Sequence, residues 1–364
     1  MSNILGQYFT TNKILQRKVY KYILNNPTRI LEPSCGKGHL VQYIKNKIDV
    51  RFNLYEIDQS LILLDLPDNN YTIRYCDFIT KKITRTYDTI IGNPPYVKFE
   101  GTNLYILFIE KCFNLLRTNG ELIFIIPSDF FKLTSASDLL QKMYISGTFT
   151  HIYHPHNEKL FTGASIDIII FRYCKNNTLD KKCIYDDTKS KEERHIINNS
   201  GIITFSKSRS TGHILGDMFH IYVGLVSGCE SVFKNDKYGN IEVLNKKDTI
   251  DKYIFVDEYP TDDKQLDKYL YKYKDTLMNR RIRTFNENNW YEWGAPRNIK
   301  HIKSNLGNEC IYVSTITRKD TIAFTSIVQY FGGGLIMLIP KNVDICCNDV
   351  CKYLNTKEFK DNYI

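Results

Sequence analysis

The residues with the clearest chemical purpose are Asn93, Pro94, Pro95 and Tyr96. They follow an apolar run at 87–91 that reads as a buried strand. Two consecutive prolines have fixed φ and no N–H, so neither strand nor helix continues through them. The result is a stiff, extended loop at the carboxyl end of a strand, where ligands bind in open α/β sheets. It offers an amide side chain, carbonyls freed from any ladder and an aromatic ring. That set suits gripping a planar ring that bears an amino group.

Three strand ends upstream carry matching groups. A short strand at 29–32 ends in Glu32 and runs into Pro33-Ser34-Cys35-Gly36-Lys37-Gly38. Glycines there let backbone approach a ligand and open a helix whose N-terminus is partially positive. The turn lacks the third glycine of the dinucleotide fingerprint, and Glu32 would set an acid beside any pyrophosphate. Both points argue against NAD and for a cationic, phosphate-free nucleoside, of which S-adenosylmethionine is one. Glu56 ends a strand at 51–55 and can accept hydrogen bonds from ribose hydroxyls. Asp77 and Phe78 follow a strand at 71–75 and offer an acceptor for an adenine amino group beside an apolar wall. Singly these signals are weak, since a GxG turn can merely join strand to helix and Glu56 can be a solvated loop acid. Their force lies in four successive strand ends carrying what a nucleoside needs.

The elements that must position these groups alternate. An amphipathic helix within 11–24, helices near 39–48 and 105–116, and a strong strand at 121–126 interleave with the strands above. Such alternation predicts a mostly parallel, Rossmann-like sheet covered on both faces. Strands at 151–153 and 165–173 have too short a connection for a crossover helix and read as an antiparallel hairpin at the sheet edge. Residues 175–212 are polar and charged and read as a loop-rich bridge. Beyond it, β-like pieces at 253–256, 310–314 and 334–339 lie among Tyr- and Lys-rich helical stretches. Two domains are expected, 1–210 and 211–364, the second of mixed α/β type.

The longest apolar runs, 122–126 and 166–171, fall far short of the roughly 20 residues that span a bilayer. The N-terminus has neither a basic region nor a long apolar one of the signal-peptide kind, so a cytoplasmic protein with no membrane association is expected. The ten cysteines are scattered without a CxxC pair and read as reduced thiols. Cys346, Cys347 and Cys351 lack a nearby fourth ligand, and His151, His154 and His156 read as polar loop residues, so no metal is expected. A net charge of +9 permits a polyanionic partner. Residues 268–303 hold nine Lys/Arg against three acids, with Trp290 and six other aromatics interleaved. A solvated basic helix would look the same, but phosphate and base contacts are the stronger use of that mixture.

In order, Gly6-Gln7-Tyr8-Phe9-Thr10, LEPSCGKG, YEID, CDFI and GNPPY resemble the gamma-class (TaqI-type) adenine-N6 DNA methyltransferases of type II restriction-modification systems. Asn103–Lys111, Gly120–Pro127 and Leu160-Phe161 with Ala164-Ser165 resemble later blocks, so the likeness covers roughly residues 5–173. The resemblance implies that Tyr8, Phe9 and Thr10 close over the methionine part of S-adenosylmethionine. Glu32, Pro33, Cys35, Gly36 and Gly38 would line its amino-acid end, Glu56 and Ile57 its ribose, and Asp77 and Phe78 its adenine. Asn93 and Pro95 would border it too. Asn93 and Pro94 would hold the target amino group, while Tyr96 and Phe161 sandwich the flipped base. Lys98, Arg280, Arg281, Arg283, Trp290 and Arg297 would meet DNA, in a target-recognition domain.

The leading expectation is therefore methyl transfer from S-adenosylmethionine to adenine N6 in double-stranded DNA by a monomer, with any cognate endonuclease encoded separately, in a bacterium or a virus-infected cell. Modification of a protein glutamine or an RNA adenine, and a catalytically idle DNA-binding protein, are the alternatives.

Overall fold

The computed structural model describes residues 8–61, 63–64, 70–99, 101–161, 165–177, 180–207, 214–315 and 321–362. Gly6, Gln7 and Ala164 of the expected blocks lie outside the described residues. The chain divides into two compact units, Met1–Ser210 and Thr211–Ile364.

The first unit begins with α1 (Lys13–Lys21), whose first turn is capped by the Asn12 side chain accepting from the Ile14 and Leu15 amides. Then come β1 (Arg29–Glu32), α2 (His39–Lys45), β2 (Arg51–Glu56), β3 (Tyr71–Tyr75) and β4 (Tyr87–Gly92). A two-residue pair, β5 (Lys98–Phe99) and β6 (Thr102–Asn103), leads into α3 (Leu104–Leu115) and β7 (Leu116–Pro127). The unit continues with α4 (Ser137–Ser146), β8 (Gly147–His154), β9 (Ile168–Lys175), β10 (Lys182–Asp187), β11 (Lys191–Asn199) and β12 (Ile202–Ser206).

These strands form one sheet in the order β12-β11-β10-β8-β9-β7-β4-β1-β2-β3. β3, β2, β1, β4 and β7 run parallel, and β9 is antiparallel to both β7 and β8. The order reverses at β1, between β2 and β4, the switch point where a crevice opens at the carboxyl ends. Both faces of the sheet are apolar because strand side chains alternate. Leu122, Phe124 and Ile126 of β7 join the layer under α3, whereas Ile123 and Ile125 join the layer under α1 and α2. This is a Rossmann-like α/β architecture with a mixed sheet.

Two expectations are corrected. The β8–β9 hairpin lies inside the sheet, because the polar stretch read as a bridge folds into β10, β11 and β12, with β10 parallel to β8. Its charges are paired across or along strands, as in Lys182–Glu193 at 2.7 Å and Arg194–Glu192 at 2.7 Å, which masked the period of two. His151 and His154 belong to β8 rather than to a loop; His154 is buried, with its ring nitrogens 3.0 Å from the Tyr185 hydroxyl and 2.8 Å from Asp167.

Toward the amino end of β4, Glu121 is fully buried and accepts from Arg172 Nε at 2.8 Å, the Thr89 hydroxyl at 2.8 Å and the amides of Leu24 and Asn25. A buried carboxylate is tolerable with that many donors. The pair ties the end of α1 to β4, β7 and β9, away from the crevice.

The second unit holds α5 (Leu215–Met218), β13 (Phe219–Val223), α6 (Glu230–Phe233), β14 (Ile241–Lys246), β15 (Thr249–Tyr253), α7 (Lys264–Lys272) and α8 (Lys274–Met278). It ends with α9 (Ile299–Asn305), β16 (Glu309–Ser314), β17 (Ala323–Ile327), β18 (Leu335–Pro340), α10 (Cys347–Leu354) and α11 (Lys357–Asn362). An antiparallel sheet, β13-β18-β16-β17, stands beside the β14–β15 hairpin. Its main core gathers Phe233, Trp290, Trp293, Tyr312 and Phe331.

Candidate active site

A cavity of about 330 Å³ opens at the carboxyl ends of β1, β2, β3 and β4. Its floor is the turn after β1. Gly36 and Gly38 have φ of +55° and +82°, values that side-chain-bearing residues rarely adopt, and Gly38 caps α2 in the left-handed conformation. A Cβ on Gly36 would stand 3.1 Å from the ring of Phe9, so the N-terminal segment lies directly on this turn. Glu56 accepts from the amides of Gly36 at 2.8 Å and of Ile57 and Asp58 at 2.9 Å each. Three N–H groups on two oxygens fix the carboxylate and leave acceptor capacity for a hydroxyl.

Glu32 is 2% exposed, and its Oε2 has no hydrogen-bond partner. Burial, and then the neighbouring Glu56, push its carboxyl well above the usual carboxylate range. An unpartnered buried oxygen costs about 1–3 kcal/mol, so this wall is built for a cation or a donor. The donor set therefore fits the cationic nucleoside expected from the sequence: an unmatched acid at one end and a fixed carboxylate beside it.

The far wall is the turn after β3. Asp77 Oδ1 accepts from the Ile79 amide at 2.8 Å, and Phe78 stacks on Phe108 with ring centroids 5.5 Å apart. Lys111 donates to the carbonyls of Phe78, Ile79 and Lys81 at 2.6, 2.8 and 2.5 Å and lies 4.9 Å from the Phe78 ring centroid. Phe108 and Lys111 escaped the sequence reading. The signal was their i, i+3 spacing, which puts both on one face of α3.

Across the cavity stands Asn93. Its Nδ2 donates to the Tyr8 carbonyl at 2.7 Å and to the Thr10 hydroxyl at 3.1 Å, while its Oδ1 accepts from the Tyr96 hydroxyl at 2.5 Å. The amide is thereby held with nitrogen toward the N-terminal segment and oxygen away from it. Gln16 secures that segment by donating to the Thr10 carbonyl at 2.7 Å. The Tyr96 hydroxyl also lies 3.0 Å from the Ile125 carbonyl, and burial raises its pKa.

The expected parallel pair of Tyr96 and Phe161 takes a different form. Their rings meet at 72° with centroids 6.3 Å apart, and the Tyr8 ring lies 5.4 Å from Tyr96 and 5.7 Å from Phe161. Aromatic rings in mutual contact favour such tilted packing, and Tyr8 takes part of the space a base would need.

The structure brings the other expected residues together. Tyr8, Phe9, Thr10, Glu32, Pro33 and Cys35 line the cavity, as do Gly36, Glu56, Ile57, Asp77 and Phe78. Asn93, Pro95 and Lys98 complete the expected set, and His39, Leu40, Val97 and Leu104 are additions. Gly38 shapes the turn behind the wall; Pro94 is buried, and Tyr96 and Phe161 form the aromatic cluster beside Asn93.

In the second unit the expected DNA-facing residues separate. Trp290 is 2% exposed and belongs to the core, where its indole and that of Trp293 supply the largest apolar side chains. Arg280 is half-buried, with its guanidinium spent on the carbonyls of Leu277, Ser227, Trp290 and Glu292, and burial pushes its pKa down to about 10. Arg281, Arg283 and Arg297 are exposed.

Residues 32–161 match the family model described as Eco57I restriction-modification methylase. The type II methyltransferase M.HindII of Haemophilus influenzae is 26% identical over 97% of this chain and 83% of its own length. The chain is similar to restriction-modification methyltransferases. M.HincII, also of Haemophilus influenzae, is 30% identical over 54% of this chain, which spans 43% of that protein. Among solved structures, a nuclease-deletion mutant of the type ISP restriction-modification enzyme LlaGI, in complex with a DNA substrate mimic, aligns with a TM-score of 0.52. It is 14% identical, over 92% of this chain and 42% of that one, a likeness of fold.

Proposed function

We propose that this protein is a gamma-class, S-adenosylmethionine-dependent DNA methyltransferase acting on N6 of an extrahelical adenine. The observation that carries this reading is the pairing, in one cavity, of an unpartnered buried Glu32 with an Asn93 amide oriented by Tyr8 and Thr10. One acid awaits a cation; one amide oxygen awaits an amino group.

S-adenosylmethionine supplies, when bound, an electrophilic methyl group on a sulfonium. Glu32 would meet its cationic end, Glu56 its ribose hydroxyls, and Asp77 with Phe78 its adenine. Phe9, resting on Gly36, covers that end of the cavity. An exocyclic adenine amine is a poor nucleophile because its lone pair is delocalised into the ring. Asn93 Oδ1 and the Pro94 carbonyl, accepting its two hydrogens, draw the nitrogen toward tetrahedral geometry and free that lone pair. Catalysis is then alignment plus electrostatics, without a covalent intermediate. Asn93 is no base, so the proton leaves after transfer. For a base to enter, the Tyr96 hydroxyl releases Oδ1 and Tyr8 withdraws from between Tyr96 and Phe161. Stacking on those rings offsets the few kcal/mol spent on unpairing the base.

The test is to incubate the protein with methyl-labelled S-adenosylmethionine and mixed genomic DNA, RNA and protein, then digest and identify the labelled product. Label in N6-methyladenine of DNA supports the reading. Label in a glutamine or in RNA overturns it.

A further inference from the structure

We infer that Arg281 is the base-reading residue of the basic segment 280–283, its guanidinium forking onto a guanine edge, while Arg280 and Arg283 are positioning residues that hold the segment still. This rests on the reading of the chain as a DNA methyltransferase.

Three of the four side chains are engaged by contacts within the unit, although Ile282 and Arg283 remain partly open to solvent. Arg280 donates to four backbone carbonyls, at 2.6 Å (Leu277), 2.9 Å (Ser227), 2.7 Å (Trp290) and 2.9 Å (Glu292), and its guanidinium lies 3.8 Å from the Phe285 ring centroid. Ile282 sits on two glycines. A Cβ on Gly294 would come within 2.4 Å of its Cγ2, and one on Gly228 within 3.1 Å. Any larger residue at Gly294 would expel it. Arg283 pairs with Glu292 at 2.6 Å and donates to the Trp293 carbonyl at 2.9 Å. The strip these side chains grip is itself paired: Val226 and Ala295 exchange both backbone hydrogen bonds, and Gly294 N–H donates to Ser227.

Arg281 alone is left over. It is exposed, and among the described residues no hydrogen bond or ion pair engages its guanidinium. A point charge for phosphate needs no such fixation, as surface lysines serve. Bidentate recognition of guanine O6 and N7 does require a fork delivered at a set position from a rigid base. Three arginines that look equivalent in sequence thus divide into one reader and two anchors, with Ile282 packed on the glycines between them.

The experiment uses the full chain, first mapping the wild-type methylation sites in genomic DNA. Arg281→Ala and Arg281→Lys are then mapped alike and titrated with the mapped duplex and with duplexes changed at each guanine. Expected is a guanine in the wild-type site that both variants tolerate losing, with discrimination there falling about 5- to 150-fold. Arg281→Lys should keep the wild-type salt slope, since its charge remains. Arg283→Ala, which loosens the base that delivers the fork, should relax discrimination at that same guanine to a smaller extent and at no other position. A site without guanine, or an Arg281→Lys map identical to the wild type, overturns the inference. Failure of the wild type to methylate DNA would instead overturn the functional reading on which it rests.

Discussion

The Tyr96 hydroxyl donates to Asn93 Oδ1 at 2.5 Å, so the acceptor that the proposed chemistry needs is held by the residue expected to stack on the base. The two roles of Tyr96 are separable by substitution. Tyr96→Phe keeps the ring and loses one hydrogen bond, worth about 0.5–1.5 kcal/mol, so single-turnover methylation should change by no more than roughly tenfold. Tyr96→Ala also loses stacking worth about 1–3 kcal/mol per base and should be much slower. Equal damage in both variants would mean that the hydroxyl, not the ring, does the work.

Tyr8 stands 5.4 Å from Tyr96 and 5.7 Å from Phe161, where the base proposed to stack on those two rings would lie. Its hold on Asn93 is through the backbone carbonyl and survives truncation of the side chain. Tyr8→Ala should therefore favour base entry, read as stronger fluorescence from 2-aminopurine at the target position. Unchanged or weaker fluorescence would show that the ring helps the base in rather than keeping it out.

Glu32 gives a pH prediction. A carboxyl whose folded pKa is raised stabilises the folded chain at low pH, and that contribution is lost as pH rises through the folded value. Burial raises Glu32 in this way, so thermal stability without the methyl donor should fall as pH climbs above the ordinary carboxylate range. Glu32→Gln should remove that dependence, because an amide does not titrate, and should unfold at a higher temperature than the wild type at pH values where the buried wild-type carboxyl is ionised. The same variant should bind S-adenosylmethionine far more weakly. Wild-type affinity should rise with pH up to the raised pKa, checked by calorimetry across pH.

Much of this site was legible because each strand end announces itself. Glu32, Glu56, Asp77 and Asn93 each terminate a β-run, and glycine or proline follows at two of the four. What stayed hidden was energetic rather than chemical. Trp290 and Arg280 sit in a basic, aromatic stretch like any nucleic-acid face, yet one fills the core and the other satisfies carbonyls. Composition cannot tell a guanidinium aimed at backbone from one aimed at solvent. Likewise β10 and β11 carry charges in pairs across and along the strands, so polarity concealed a sheet extension. The geometry of Tyr8 between two other rings has no sequence signal at all, since it depends on where the N-terminal segment returns.

Lys111 lies outside the cavity wall but gathers the three carbonyls of the turn behind Asp77 and Phe78. Lys111→Met keeps the aliphatic stem and loses those bonds. It should weaken cofactor binding roughly 5- to 30-fold, from the loss of about 1–2 kcal/mol of charge-assisted hydrogen bonding that orders the turn. Methyl transfer at saturating cofactor should stay near the wild-type rate. A fall in that saturated rate would place Lys111 in the alignment of the reacting groups instead.

The central claim is that Asn93 Oδ1 activates the target amine. The most direct measurement compares wild type and Asn93→Ala for two quantities in one preparation: S-adenosylmethionine affinity by calorimetry, and labelled methyl transfer to DNA adenine. The account predicts cofactor binding within a few-fold of wild type and transfer reduced by a factor on the order of 10² or more, as for loss of an oriented polar group at a reacting centre. Transfer at near wild-type rate in Asn93→Ala would contradict it.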